Sequence, residues 1–463
     1  MPRKPANETL AAFLRQQDAS TLVDILLELA SESELVRRRL ERLSVARDGK
    51  RLAAAFRKTL SGWKRSRRYL DWDEARQFFK EQQDWLAQIE RELLPVDPMR
   101  ALELVEDYIA SDAHWFERAD DSAGLVGETV REACRLWLRC AACCETPADF
   151  WPERLATLYD HDEYGAREEL LRRANLLLDE AHLRGLVARY EAQQDAILAA
   201  ARARGEPDLP RGVFHPATAM VLLAEALQDP DVQVRATLRH SPQPNELQKE
   251  AFVRHYLEVG RPADALPWLD GPWQRHEDTR LRLRAQALQQ LGRRDEAVLL
   301  RQQAFERTLT ISDFRNWMEL LPPLQQSAAV EHARAVARAW PDPVAAAELL
   351  LETGDGEGAQ GMLVQRASQL DGRFYELLVP LAKKLEAHQL WTGATAVYRA
   401  LLLDILSRGQ SQAYRHAARY WAKLQAIAQL TPSLEPLCSH ARFVAEVRRD
   451  HGRKWSFWQL ADS

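Results

Sequence analysis

Sheet-forming signals are scarce in this 463-residue sequence: no run sustains the apolar–polar alternation of a strand, and only 19 Gly and 22 Pro are present. Cysteine is rarer still. Its five residues form an odd set, four of them crowded between Cys134 and Cys144, which excludes a secreted disulfide framework and predicts a reducing cytoplasm. No window reaches 18 uninterrupted apolar residues, and the first residues, Met1-Pro-Arg-Lys-Pro, lack an apolar signal core, so neither a membrane span nor an export signal is expected. Nor is there an excess of positive charge. A net charge of −5 excludes a globally basic nucleic-acid binder and leaves room for a local basic patch.

What is there is helix-forming. Ala, Leu, Glu, Gln and Arg dominate, and the hydrophobic fraction of 46% suffices for a large core. Arg outnumbers Lys by 53 to 10, which reads as coding bias in an Ala- and Leu-rich chain rather than as phosphate recognition. The expected fold class is all-α.

Between Leu247 and Thr310 one helix–turn–helix pattern is written twice. Val-Gly-Arg-Pro-Ala-Asp-Ala (Val259 to Ala265) is followed by Leu-Gly-Arg-Arg-Asp-Glu-Ala (Leu291 to Ala297), with Gly260 and Gly292 separated by 32 residues. A helix closed by Gly, restarted on an acidic turn and carrying Ala where two backbones approach marks a tetratricopeptide-like (TPR-like) α-solenoid of helical repeats. The same step recurs at Gly354 and Ala359, after a degenerate copy at Leu320-Leu-Pro-Pro-Leu, and a further unit runs through Leu385-Glu-Ala-His and Ala394. Gly356-Glu-Gly358-Ala-Gln-Gly361 fits a dinucleotide fingerprint in letters only; it follows a helix rather than a strand, and Asp355 and Glu357 would repel a pyrophosphate.

Before the repeats, Thr9 to Ser44 predicts two amphipathic helices, the second (Leu22, Ile25, Leu26, Leu29, Leu35) capped by Ser20 and able to break near Ser31. Trp72 to Leu94 predicts a long helix, and Pro98 starts another. The Pro-bearing stretches at 206–216 and 237–244 flank one helix, Ala217 to Leu227. These signals divide the chain into an N-terminal helical domain (1–210), a repeat solenoid (211–432) and one C-terminal capping helix (433–463).

Two basic stretches are candidate anion-binding faces. Arg47 to Arg68 holds nine basic residues and one acid, and Trp63, Lys64, Arg65, Arg67, Arg68 and Tyr69, with Trp72 beside them, could contact phosphates and stack bases. The bland alternative is a solvated face paired with Asp71, Asp73 and Glu74. In the tail, Arg442, Arg448, Arg449, Arg453 and Lys454 lie opposite Phe443, Val447 and Trp458 and pose the same choice. Asp120, Asp121 and Ser122 read as a capping turn before Leu125, Asp160 to Glu163 as an interhelix turn, and Cys140-Ala-Ala-Cys143 as buried helix lacking a second ligand pair. No catalytic, cofactor-binding or metal residue is assigned.

Three stretches carry a resemblance: Leu22 to Leu43, the Asp120-Asp121-Ser122-Ala123-Gly124 turn with its helix, and the tail from His440 to Leu460 with its His-x10-His-Gly-Arg-Lys pattern. They resemble an uncharacterised bacterial all-helical, TPR-like family, some of whose relatives accompany a SWIM-type zinc finger. The finger needs Cys-x-Cys as well as the Cys438-Ser-His440 found here, so zinc is not implied. What the resemblance implies is an intracellular helical scaffold with no reaction. The expected function is therefore non-enzymatic binding of a protein or peptide partner along a helical-repeat surface; the alternative is nucleic-acid association through residues 47–72. The 14 Trp residues suit binding hot spots or packing between repeats, and most are expected to be buried.

Overall fold

The computed structural model describes residues 6–44, 48–205, 208–431 and 433–462. Arg47 in the first basic stretch, Glu206 and Pro207 in the anticipated linker, and the Met1-Pro-Arg-Lys-Pro segment lie outside the described residues. Those described form 26 α-helices and no strand; the one extended pairing is an isolated parallel bridge between Leu70 and Ala119. The fold is all-α.

Two compact units divide the chain at Pro244 and Asn245. The division comes later than the expected residue 210, because Met220, Leu222, Leu223, Val232 and Ala236 join the same core as Leu52, Trp115 and Tyr190. Two helices, Phe214–Leu227 and Pro230–His240, fill the region read as one helix between two breaks.

The first unit opens with three helices rather than two, Ala6–Arg15, Ala19–Glu32 and Glu34–Ser44. Asp18, not Ser20, caps the second by accepting from the Thr21 N–H at 3.0 Å. Phe13, Leu26 and Leu29 are exposed, so that apolar stripe stays uncovered within the unit. Beyond it the sequence signals translate directly. Helix Trp72–Gln88 is capped by Asp71 and runs into a π-turn over Ile89–Leu93, and helix Pro98–Ile109 starts at its proline with Asp97 as cap.

The second unit is a stack of helical hairpins. First helices of successive pairs pack together, Glu246–Glu258 on Glu277–Gln290 and Pro343–Glu352 on Tyr375–Ala387, and second helices do the same, Gly356–Gln365 on Trp391–Arg408. That pairing is the helical-repeat arrangement. Its turns share one geometry. Gly260, Gly292 and Gly354 have φ of 74°, 75° and 78°, and the next residue donates back to the carbonyl five positions earlier (Arg261 to Tyr256, Arg293 to Leu288, Asp355 to Leu350, each at 2.8 Å). Gln389 (φ 59°) makes the same turn without glycine, and so does Gln228 (φ 53°) in the first unit, 32 residues before Gly260. Five residues after four of these turns stand Ala265, Ala297, Ala359 and Ala394, each at 0% exposure, where a methyl group lets neighbouring helices close up.

The tail forms two helices instead of one, His440–His451 and Trp455–Ala461, separated at Gly452-Arg453-Lys454. Phe443, Val447, Phe457 and Trp458 join the core of the second unit beside Trp421, so the segment closes the stack as an integral part of it.

Candidate binding groove in the second unit

Helix Tyr375–Ala387 opens one hairpin, Trp391–Arg408 completes it, and Tyr414–Leu430 opens the next turn of the stack. Their buried stripes (Leu378, Leu381 and Leu385; Leu401 and Leu402; Ala417, Trp421 and Leu424) lock them together. The opposite sides leave a groove of about 860 Å³. Its walls are apolar: Val379 and Pro380 on one helix, the exposed methyls of Ala422 and Ala426 on the other.

Three tyrosines line the groove. Tyr375 is 58% exposed, while Tyr398 and Tyr420 stack with ring centres 5.8 Å apart. Burial, with the Glu386 carboxylate beside it, pushes the Tyr398 phenol well above its ordinary value, so it stays a neutral donor. Tyr375, Tyr420 and His416 also line an adjoining pocket of about 330 Å³, making one continuous concave strip.

The groove's charges are unevenly satisfied. Lys423 lies 2.9 Å from Glu386. Arg419 places Nη2 2.9 Å from Nδ1 of His416 and meets no carboxylate, and neither Lys383 nor Glu376 has an ion-pair partner among the described residues. None of these groove residues was marked as a site by sequence reasoning. The available signal was Tyr375 and Leu377 falling outside the apolar stripe of their own helix, and both are in fact exposed.

The first basic stretch is drawn inward more than its composition suggested. Trp63 is half-buried and packs edge-on against Phe78 and Trp85, so it is no open stacking platform. Lys64 pairs with Asp107 at 2.6 Å, Arg68 pairs with Glu74, and Arg65 donates to the Ser61 carbonyl. Arg67 and Tyr69 remain exposed, with no ion pair or hydrogen bond from their side chains among the described residues. Arg118 holds the segment from beneath: its guanidinium donates to the carbonyls of Trp63 (3.0 Å) and Arg68 (3.2 Å) and to Ser66 Oγ (3.3 Å), while lying 4.9 Å from the Phe78 ring centre.

In the tail, Arg448 lies over the Trp458 ring and reaches Asp462 at 3.8 Å, and Arg449 pairs with Asp450. Arg453 and Lys454 stand at the break between the two helices without ion pairs among the described residues. The two faces are largely neutralised surfaces.

The acidic clusters act as structural ties. Asp121 caps helix Leu125–Ala142 through the Val126 N–H, and Asp120 accepts from the Ser122 N–H. Asp162 gathers the N–H groups of Tyr164, Gly165, Ala166 and Arg167, whereas Asp160 points elsewhere, to Tyr190, His215 and Arg189. Among the described residues no three His, Cys, Asp or Glu side chains converge as a metal site. Burial pushes the Cys140 thiol up to about 12 and raises Cys134 as well, so both rest as neutral core side chains. Cys438 accepts from Arg399 through sulfur and carbonyl. Asp355 caps the helix at Gly358, which makes the glycine-rich stretch a repeat turn. Eight of the 14 Trp are buried and only Trp72 and Trp455 are exposed, so packing accounts for most of them. No described helix is long and apolar enough to cross a membrane.

One solved structure that the chain resembles is described as a circular tandem repeat protein with novel repeat topology and enhanced subunit contact surfaces. It is 15% identical over 95% of this chain and 96% of that one, with a TM-score of 0.23. At that score the packing of this chain's own helices, not the likeness, establishes its fold. No curated protein matches the chain. Residues 5–460, however, match the model of a family of unknown function (DUF6880), and the chain belongs to that family.

Proposed function

We propose that this protein is a non-enzymatic cytoplasmic scaffold that binds a protein or peptide partner along the groove between helices Tyr375–Ala387 and Tyr414–Leu430. The observation that carries this reading is a preformed concave strip with aliphatic walls and three tyrosines, built on the first helices of successive hairpins. The ionisable residues that might have supported chemistry are instead engaged in caps and cross-links, which favours binding over catalysis. To test it, a photo-crosslinking phenylalanine analogue is placed at position 375 of the full chain in its native cell. A discrete crosslinked protein that disappears with Ala422→Trp is the expected result; failure of any position-375 adduct to form would count against the groove.

A second reading, nucleic-acid association through residues 47–72, draws support from the exposed Arg67 and Tyr69. It requires affinity for DNA or RNA that falls steeply between two salt concentrations. Absence of binding at low salt would end it.

A further inference from the structure

Resting on the peptide-binding reading above, we infer that the groove selects an acidic peptide segment carrying an aromatic or branched apolar anchor. The chain as a whole is negative, with a net charge of −5, yet the groove and its adjoining pocket run the other way. Arg373, Lys383, Arg408, Arg419 and Lys423 line them against only Glu376 and Asp404. Asp404 is already engaged by Arg408 at 3.4 Å, and Lys423 by Glu386. Among the described residues no carboxylate pairs with Lys383 or Arg419, on opposite walls, and Arg373 meets Asp371 only at 4.0 Å. A carboxylate-bearing segment lying in the groove meets a cation from each wall.

Between those cations lie Val379, Pro380, Ala422 and Ala426 and the Tyr375 and Tyr420 rings, which take an apolar side chain and give it a face to pack on. A nucleic acid fits less well. Its phosphates would run past Glu376, and its bases would find aliphatic walls between the rings. The recognition is therefore that of a peptide whose Asp or Glu residues flank a Trp, Phe or Leu, with charge setting selectivity and the apolar floor setting hold.

The experiment is selection of random 12-residue peptides displayed on phage against the full-length protein, repeated on Ala422→Trp and Ala426→Gln, which fill the groove from exposed positions, and on Lys383→Glu/Arg419→Glu. Circular dichroism melting of each variant checks folding. The expected outcome is a set of peptides lost on both groove-filling variants, enriched in Asp and Glu beside an aromatic or Leu, and weakened about tenfold by the charge reversal, close to 1.4 kcal/mol. Groove-dependent peptides with no acidic excess would overturn the charge selection and leave the peptide-binding reading standing. Peptides indifferent to both groove-filling variants would remove that reading as well. A self-associated form lost on Ala422→Trp, or oligonucleotide binding that needs Lys383 and Arg419, would assign the groove to another occupant and overturn the inference.

Discussion

Arg167 holds Asp112 through two parallel hydrogen bonds of 2.7 Å, Nε to Oδ2 and Nη2 to Oδ1, with the two side chains only 4% and 3% exposed. Its remaining nitrogen, Nη1, donates to the Leu158 carbonyl at 2.8 Å, so one guanidinium ties the start of helix Asp112–Arg118 to the end of helix Trp151–Asp160. Asp112→Ala leaves a buried cation without its counter-charge and is expected to cost about 3–5 kcal/mol. Asp112→Leu combined with Arg167→Met removes both charges and is expected to cost less than either single change. Urea unfolding of the full chain, followed by fluorescence, checks the order; a single variant milder than the double would contradict it.

The hairpin turns give substitutions of opposite sign. At Gly292 a Cβ would meet nothing within 4 Å, so Gly292→Ala is disfavoured by backbone conformation alone, by about 1–2 kcal/mol. Gln389 occupies the equivalent left-handed position with a side chain attached, and Gln389→Gly is expected to stabilise the second unit by about 1 kcal/mol. Thermal melts of the two variants should move in opposite directions from the parent. Two shifts of the same sign would mean that the turns are not equivalent.

These two turns also mark how far the sequence could be read. Where glycine supplies the left-handed residue, at 260, 292 and 354, the repeat was legible, and the buried alanines five positions later followed from it. Gln228 and Gln389 adopt the same backbone because the packed helices on either side impose it, and tertiary imposition leaves no letter in the sequence. That is why the repeat-like turn at 228 and the later division at Pro244 went unseen. The basic stretch was only partly legible for a similar reason. Lys64 finds Asp107 43 positions away, and Arg118 reaches the carbonyl of Trp63, pairings that no local pattern encodes. The groove was legible only as an architecture: a concave helical-repeat surface could be anticipated, but the register that brings Tyr398 onto Tyr420 could not.

Acid should act on the first unit through Glu169. Burial alone would raise this carboxyl, but hydrogen bonds from Arg135, Arg172 and Arg173 outweigh it and lower it from 4.5 to about 2. A depressed folded-state value means stabilisation that is complete above the ordinary Glu range and is lost as the pH falls from 4.5 through about 2. Glu169→Gln should therefore be less stable than the parent at pH 7, with a gap that narrows below pH 4.5 and closes near pH 2. Stability curves for both proteins across that range test this; a constant gap would show that the carboxylate charge is not what Glu169 contributes.

The Arg118 side chain ties down the segment from Trp63 to Arg68, next to the backbone bridge at Leu70. Arg118→Met keeps an unbranched side chain and removes all three donated bonds together with the guanidinium over the Phe78 ring. Hydrogen exchange at Ser66 and Leu70, whose N–H groups donate to the Trp63 and Arg118 carbonyls, is expected to rise by an order of magnitude or more, about 1.4 kcal/mol of local opening per tenfold. Exchange elsewhere in the first unit, such as helix Glu180–Ala203, should change little. Uniform acceleration across the unit would mean that Arg118 supports the whole core and not this strap.

Ala265, Ala297, Ala359 and Ala394 set the spacing of the hairpins with nothing larger than a methyl group. Seams of that kind tolerate almost no growth, yet they ask nothing of residues facing the other way. The exposed side chains at positions such as 375, 383, 419 and 422 can therefore be exchanged without re-spacing a single hairpin. What that outer surface presents is a matter of a few outward letters written on an unchanged frame.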